Sequence, residues 1–229
     1  MIENADLVVK YFRDQKKIIR FGTNNSTKSR EAIATKLNRM GIPCSADEVI
    51  TSSFLAAEYV KWEGLDHCFV FGSEGLIFDL KEHGIDVCDE EQAENLVIGF
   101  NRNLDYEYLS QAFRVAQKAK NIIACNLDRS YPAGDGRTYP GCGLIVSAIE
   151  WCANRKSDII VGKPNTYMLQ YLQQVESVSA SEMLCIGDSE ETDSGMAKAF
   201  GAPCCIVGIQ NRDNEVVYVK TISELITDG

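Results

Sequence analysis

The sequence predicts an α/β fold built on a doubly wound parallel sheet. Three segments carry that expectation: Ile18-Ile19-Arg20-Phe21, Asp158-Ile159-Ile160-Val161 and Met183-Leu184-Cys185-Ile186. Each is a strand-length, largely apolar stretch that ends in polar residues and leads into a helical pattern. In one doubly wound sheet such polar strand ends converge on a single carboxyl edge, where ligands bind.

The elements follow in chain order. Leu7, Val8, Tyr11 and Phe12 recur at helical spacing, which makes Asp6 a first-turn helix residue. After the first strand, Thr23, Asn24, Asn25 and Ser26 place a hydroxyl, two amides and unpaired N–H groups at a helix start, a ready anion site. Taken alone, Thr23 reads first as a simple cap. The helix shows Ile33, Leu37 and Met40 on one face, with Gly41 just past its end. The middle of the chain has a core of its own. Cys68-Phe69-Val70-Phe71 is a strand, followed by a helix with Leu76 and Leu80 inward and Gly84 as its stop. Leu96-Val97-Ile98-Gly99-Phe100 and Asn121-Ile122-Ile123-Ala124-Cys125 are strands around a helix bearing Leu109, Phe113 and Ala116. The polar runs after them, Asn101-Arg102-Asn103 and Asn126-Leu127-Asp128-Arg129, read as cleft-facing loops or as plain turn chemistry. Residues 132–137 read as a loop.

In the last third, Pro164 biases Lys163 away from helical geometry and holds it at a strand end, where its ammonium can meet a phosphate. The competing reading is a surface lysine. Met168, Leu172 and Val175 mark the next helix. Gly187 then punctuates a strand that delivers Asp188 into a short loop, and Asp193 stands where the following helix begins. Two carboxylates five positions apart on such a loop suit a hard cation such as Mg2+ bound with several waters. The bland reading is a solvated acidic loop capped by Asp193.

Composition narrows the function classes. At 229 residues and 45% hydrophobic, the chain can bury a full core. No apolar run approaches the ~20 residues that span a bilayer, and an N-terminus bearing Glu3 and Asp6 does not read as a signal peptide. A net charge of −10 argues against nucleic acid or an acidic membrane as partner. Nine cysteines without a Cys-x-x-Cys spacing, several of them in apolar strands, read as reduced core residues of a cytoplasmic protein. With His67 and His83 the only histidines, a histidine-based metal centre or a Ser-His-Asp triad is not expected. Gly141-Cys142-Gly143 lacks the third glycine of a dinucleotide fingerprint, and no P-loop occurs.

Thr23-Asn24-Asn25-Ser26-Thr27-Lys28-Ser29-Arg30, Gly162-Lys163-Pro164 and Gly187-Asp188 with Thr192-Asp193 resemble the second, third and fourth motifs of the haloacid dehalogenase (HAD) superfamily. The resemblance is closest to its NagD-like, 4-nitrophenylphosphatase-type branch. Val70-Phe71-Gly72-Ser73-Glu74-Gly75-Leu76 and Tyr139-Pro140-Gly141-Cys142-Gly143 resemble that branch's large cap. The implied architecture is a Rossmann-like HAD core at 1–50 and 155–229 with an inserted α/β cap domain at 51–154. The implied reaction is Mg2+-dependent hydrolysis of a phosphate monoester through an aspartyl-phosphate. Thr23, Asn24 and Asn25 would bind the phosphoryl oxygens, and Lys163 would neutralise the nucleophile and the transferring group. Asp188 would ligate the metal, with Asp193 in support. The implied partner is a small phosphorylated metabolite, with sugar phosphates, nucleotides, phosphoglycolate and pyridoxal phosphate all open; a homodimer through the cap goes with this reading.

The family's first motif, Asp-x-Asp-Gly on the opening strand, has no counterpart, since no Asp-x-Asp occurs in these 229 residues. The chain is therefore expected to lack turnover by itself and to bind Mg2+ weakly. The first strand of this fold lies between those carrying Thr23 and Asp188, so both are expected to have an unpaired side. Arg20, a charge in a strand that should be apolar, either snorkels at an edge or marks a sheet remodelled around that gap. Two readings of function stand: a hydrolase whose start is missing, and a non-catalytic descendant that binds a phosphorylated ligand or a protein.

Overall fold

The structure, a computed structural model, describes residues 2–208 and 216–226. The chain forms two compact units, one of residues 1–22, 31–49 and 163–229, the other of residues 23–30 and 50–162. Among the described residues no helix is long and apolar enough to cross a membrane.

The second unit is built on β3 (Cys68–Phe71), β4 (Asn95–Ile98), β5 (Asn121–Ala124) and β8 (Ile159–Ile160), a four-stranded parallel sheet in that order. Phe71, Leu96, Ile98, Ile122 and Ala124 point to one face, where α5 (Tyr106–Lys118) and α6 (Cys142–Ala153) supply Ala112, Val115, Ala116, Ile145 and Ile149. The alternate positions Val70, Val97 and Ile123 are buried too. Leu55 and Val60 of α3 (Ser52–Trp62) and Leu76 and Leu80 of α4 (Glu74–Glu82) have no exposed surface. Burial on both faces is why these strands read as unbroken apolar runs. The stop expected at Gly84 is present, with φ at +78°. The loop expected at residues 132–137 is present at 133–137, and Pro132 ends a strand. Strands β6 (Ser130–Pro132) and β7 (Thr138–Pro140) pair antiparallel, joined by a turn with Gly136 at φ +77°.

In the first unit, β9 (Cys185–Gly187), β10 (Cys204–Val207) and β11 (Val217–Val219) form a parallel sheet ordered β11-β10-β9. The expected helices are present as α1 (Ala5–Asp14), α2 (Arg30–Arg39, which begins in the other unit) and α7 (Tyr167–Glu176), and Asp6 lies in the first turn of α1. Gly41, at φ +82°, follows α2 as expected.

Two expectations need correction. The three polar strand ends do not belong to one sheet. The strand before Lys163, β8, pairs with β5 through Ile123↔Ile159 and Ala124↔Ile160, within the unit of residues 23–30 and 50–162. The other two strands are apart as well: β1 (Phe21–Thr23) pairs with β2 (Val49–Thr51), and β9 with β10. Among the described residues, β1 pairs with β2 alone and β9 with β10 alone. The apolar segment around β9 is also not the buried strand its sequence predicts. Leu184 is 51% and Ile186 37% exposed, because an edge strand lacks one flank of cover. Arg20 lies outside β1, donates 2.8 Å to the Ile19 carbonyl and ion-pairs with Glu176 of α7. That pairing accommodates the charge without the arginine reaching for water.

Candidate functional site

The predicted residues fall into two groups, one in each unit. Thr23 ends β1, and Asn24 and Asn25 follow it in the loop that crosses the carboxyl ends of the four-stranded sheet. Beyond β3, Ser73 donates to the Ser26 carbonyl at 3.1 Å; beyond β4, the Phe100 N–H donates to the buried Ser26 hydroxyl at 2.9 Å. Beyond β5, Asn126 donates to the Asn24 carbonyl at 2.7 Å and Asp128 accepts from the Asn24 amide at 2.8 Å. Beyond β8, Gly162 comes so close that a Cβ would overlap the Cys125 carbonyl and the Asn24 side-chain oxygen. Ser52 adds a 2.7 Å bond to the Asn24 carbonyl. The loop occupies the position where parallel sheets present ligand-binding edges.

Within the loop, Thr23 Oγ1 accepts from the Asn25 N–H at 3.2 Å. The Asn25 side-chain oxygen accepts from the Thr27 N–H at 3.0 Å and the Lys28 N–H at 2.9 Å. Asn25 is thus an internal brace of a turn. Thr23 does not cap a helix and the run at residues 23–26 does not stand at a helix start as expected, since α2 begins at Arg30 and the Asn25 N–H belongs to a turn; a hydroxyl that accepts in this way keeps its own hydrogen for donation to a further acceptor.

Lys163, Asp188 and Asp193 lie in the other unit. Lys163 Nζ is 2.6 Å from Asp193 Oδ1, with the two side chains 15% and 11% exposed. The second carboxylate oxygen of Asp193 accepts the N–H groups of Asp188 and Ser189, each at 3.2 Å. One carboxylate therefore fixes both the lysine head and the loop carrying Asp188. Gly187 makes this possible, since a Cβ there would collide with the Asp193 carboxylate. Asp193 does not open the α-helix as expected. Glu190–Ser194 form a π-helical turn ahead of α8 (Gly195–Phe200), and Ser189 Oγ caps the turn by accepting from Thr192 N–H at 3.1 Å. Asp188 itself is exposed. Burial, the Cys204 thiol and the negative charge of Asp193 push the nearby Cys185 thiol up to about 11, so it stays protonated at neutral pH.

Sequence reasoning missed Ser52, Ser73 and Ser189, and left Asn126 and Asp128 undecided. The last two do both jobs, since Asn126 also accepts from the Asp128 N–H at 3.1 Å as a turn residue. Their polarity beside strand ends was the only available signal.

Magnesium demands several oxygen ligands in near-octahedral array. Asp188 presents one carboxylate, while that of Asp193 is engaged by Lys163 and two N–H groups. This donor set does not make a resident Mg2+ site by itself.

The Haloacid dehalogenase-like hydrolase family model matches residues 1–86, and a HAD-hydrolase-like model matches residues 160–221. The sugar-phosphatase AraL of Bacillus subtilis is 34% identical, over 100% of this chain and 88% of its own. The acid sugar phosphatase of Staphylococcus saprophyticus is 31% identical over 84% of this chain and 74% of its own. The p-nitrophenyl phosphatase from Archaeoglobus fulgidus superposes with a TM-score of 0.92 at 29% identity, covering 98% of this chain and 91% of that one. The chain belongs to the haloacid dehalogenase-like hydrolase family, in its NagD-like, 4-nitrophenylphosphatase-type branch.

Proposed function

We propose that this protein is a phosphate-monoester hydrolase sequence of the HAD family, acting on a small phosphorylated metabolite in the cytoplasm, whose 229 residues bind phosphate without turning it over. The observation that carries the reading is the joint hold of Asp193 on Lys163 and on the Asp188 loop. A cation fixed by a carboxylate is suited to meet the charge of a phosphoryl group without reorganising. In their own unit, Thr23 and Asn24 offer polar hydrogens from a loop tied down at Ser26, Asn126 and Asp128. Two of the similar proteins are named as sugar phosphatases, which favours a sugar phosphate among the open substrates. Asp188 would hold a magnesium ion only weakly and through water, and the ion would supply charge neutralisation there. A homodimer through the inserted unit accompanies this reading.

The test is Mg2+-dependent hydrolysis of 4-nitrophenyl phosphate by the chain and by a version extended at its N-terminus with an Asp-x-Asp-Gly strand. We expect no enzymatic turnover from the chain, and turnover in the extended protein that Lys163→Ala abolishes. Turnover by the chain alone on the order of 1 per second, lost in Lys163→Ala, would overturn the reading.

A further inference from the structure

We propose that His67, Asp86 and Cys88 form a binding site for a transition-metal ion of the zinc class at the β3 edge of the four-stranded sheet. The backbone brings them together. Cys68, the first residue of β3, makes a parallel bridge with Val87, its N–H donating to the Asp86 carbonyl at 2.9 Å and its carbonyl accepting from the Cys88 N–H at 3.1 Å. Side chains alternate along extended segments, so Asp86 and Cys88, either side of Val87, project from one face. His67 precedes the bridge on one segment, and Asp86 and Cys88 flank it on the other.

The side chains meet accordingly. His67 Nδ1 lies 2.8 Å from Asp86 Oδ2, and one donor atom from each of the three residues lies within 4.8 Å of the other two. His67 is held at φ +51°, a left-handed conformation that a non-glycine residue adopts at a cost. Asp66 stabilises it, since one of its carboxylate oxygens accepts the N–H groups of both His67 and Asp86, at 2.9 and 3.2 Å. The segments carrying the donors are thereby fixed to each other before any ion arrives.

An imidazole nitrogen, a sulfur and a carboxylate oxygen are the donors zinc takes, and the sulfur disfavours magnesium and calcium. Zinc–ligand distances of about 2.0–2.3 Å correspond to tetrahedral edges of roughly 3.3–3.8 Å. The His67–Asp86 pair, at 2.8 Å, therefore opens by about 0.5 Å, and the separations to the Cys88 sulfur, within 4.8 Å, close by about 1 Å at most, which side-chain rotation at a half-exposed site allows. Water fills the fourth position. The site shares no residue with the hydrolase motifs and stands independently of them.

The probe is Co2+, titrated into the reduced, metal-free 229-residue protein and followed by the thiolate-to-cobalt charge-transfer band, with Zn2+ then added as competitor. We expect a one-equivalent band that zinc abolishes, that Cys88→Ser removes and that His67→Ala weakens at least tenfold in affinity. Cys152→Ser, at an exposed thiol elsewhere, should leave it intact. Thermal unfolding with and without zinc gives a second readout, a rise in Tm in wild type and none in Asp86→Asn. Absence of the band in wild type under excess cobalt, or its persistence in Cys88→Ser, would overturn the proposal.

Discussion

Asp193 offers the sharpest test of how the second group of residues is organised. Its carboxylate joins Lys163 at 2.6 Å to the N–H groups of Asp188 and Ser189 at 3.2 Å, with little of either charged side chain exposed. Removing one partner of a fully buried ion pair costs roughly 3–5 kcal/mol, mostly by stranding the other charge. The residual exposure here lowers that figure, and two long N–H bonds add roughly 0.5–1 kcal/mol each. Asp193→Ala is therefore expected to lose about 3 kcal/mol in urea unfolding followed by far-ultraviolet circular dichroism. Circular dichroism is the suitable probe because Trp62 and Trp151 both lie in the other unit. A double-mutant cycle isolates the pair. Lys163→Met and Asp193→Asn should be coupled by about 2 kcal/mol, since each single change leaves the other member of the ion pair without its opposite charge and the double change removes both charges. Additivity within about 0.5 kcal/mol would refute the claim that Asp193 holds the lysine.

Gly187→Ala should destabilise the protein by about 1–3 kcal/mol, as overpacking does, because the new methyl group must displace the Asp193 carboxylate; unchanged thermal stability would contradict that contact. Asp128→Ala removes one anchor of the Asn24 amide and should weaken binding of inorganic phosphate, read by NMR titration, without shifting the melting transition by more than a few degrees; an unchanged titration would separate Asn24 from the anion site. Among the cysteines, exposed Cys152 should react first with a thiol reagent, while Cys68 and Cys142, pushed up to about 12 by burial, should label only on unfolding. Rapid labelling of Cys142 in the native protein, mapped by mass spectrometry, would count against this. For the same two thiols the folded state keeps protons that the unfolded chain gives up from about pH 9, so their contribution is complete below that and declines as pH rises towards 12.

Local pattern made much of the molecule legible. The helical spacing of Leu7, Val8, Tyr11 and Phe12 is α1, Leu76 and Leu80 are the buried face of α4, and Cys68-Phe69-Val70-Phe71 is β3, because these elements satisfy their backbones or their burial with near neighbours. The motif residues were legible as residues, and Lys163 and Asp193 do meet. Their surroundings were not. Nothing in Ile159-Ile160 says that β8 pairs with β5, since an apolar pair fits any parallel sheet. The exposure of β9 likewise depends on which neighbours a strand has, and the same apolar letters serve at a centre or an edge.

What the sequence by itself determined is the α/β class, the order of strands and helices, the family and the chemical identity of the polar strand ends. These follow from periodicity, from turn residues and from motifs read along the chain. Only the tertiary structure decided that the Thr23 loop is tied to the ends of β3, β4, β5 and β8, and that the Lys163 and Asp188 segments share one carboxylate. It also decided that His67 faces Asp86 and Cys88. Ser26 and Phe100 are 74 positions apart, and Asn24 and Asp128 are 104 apart. Contacts at such separations are selected by which apolar faces pack and which backbone groups remain to be satisfied once they do, and neither is written in the residues that finally touch.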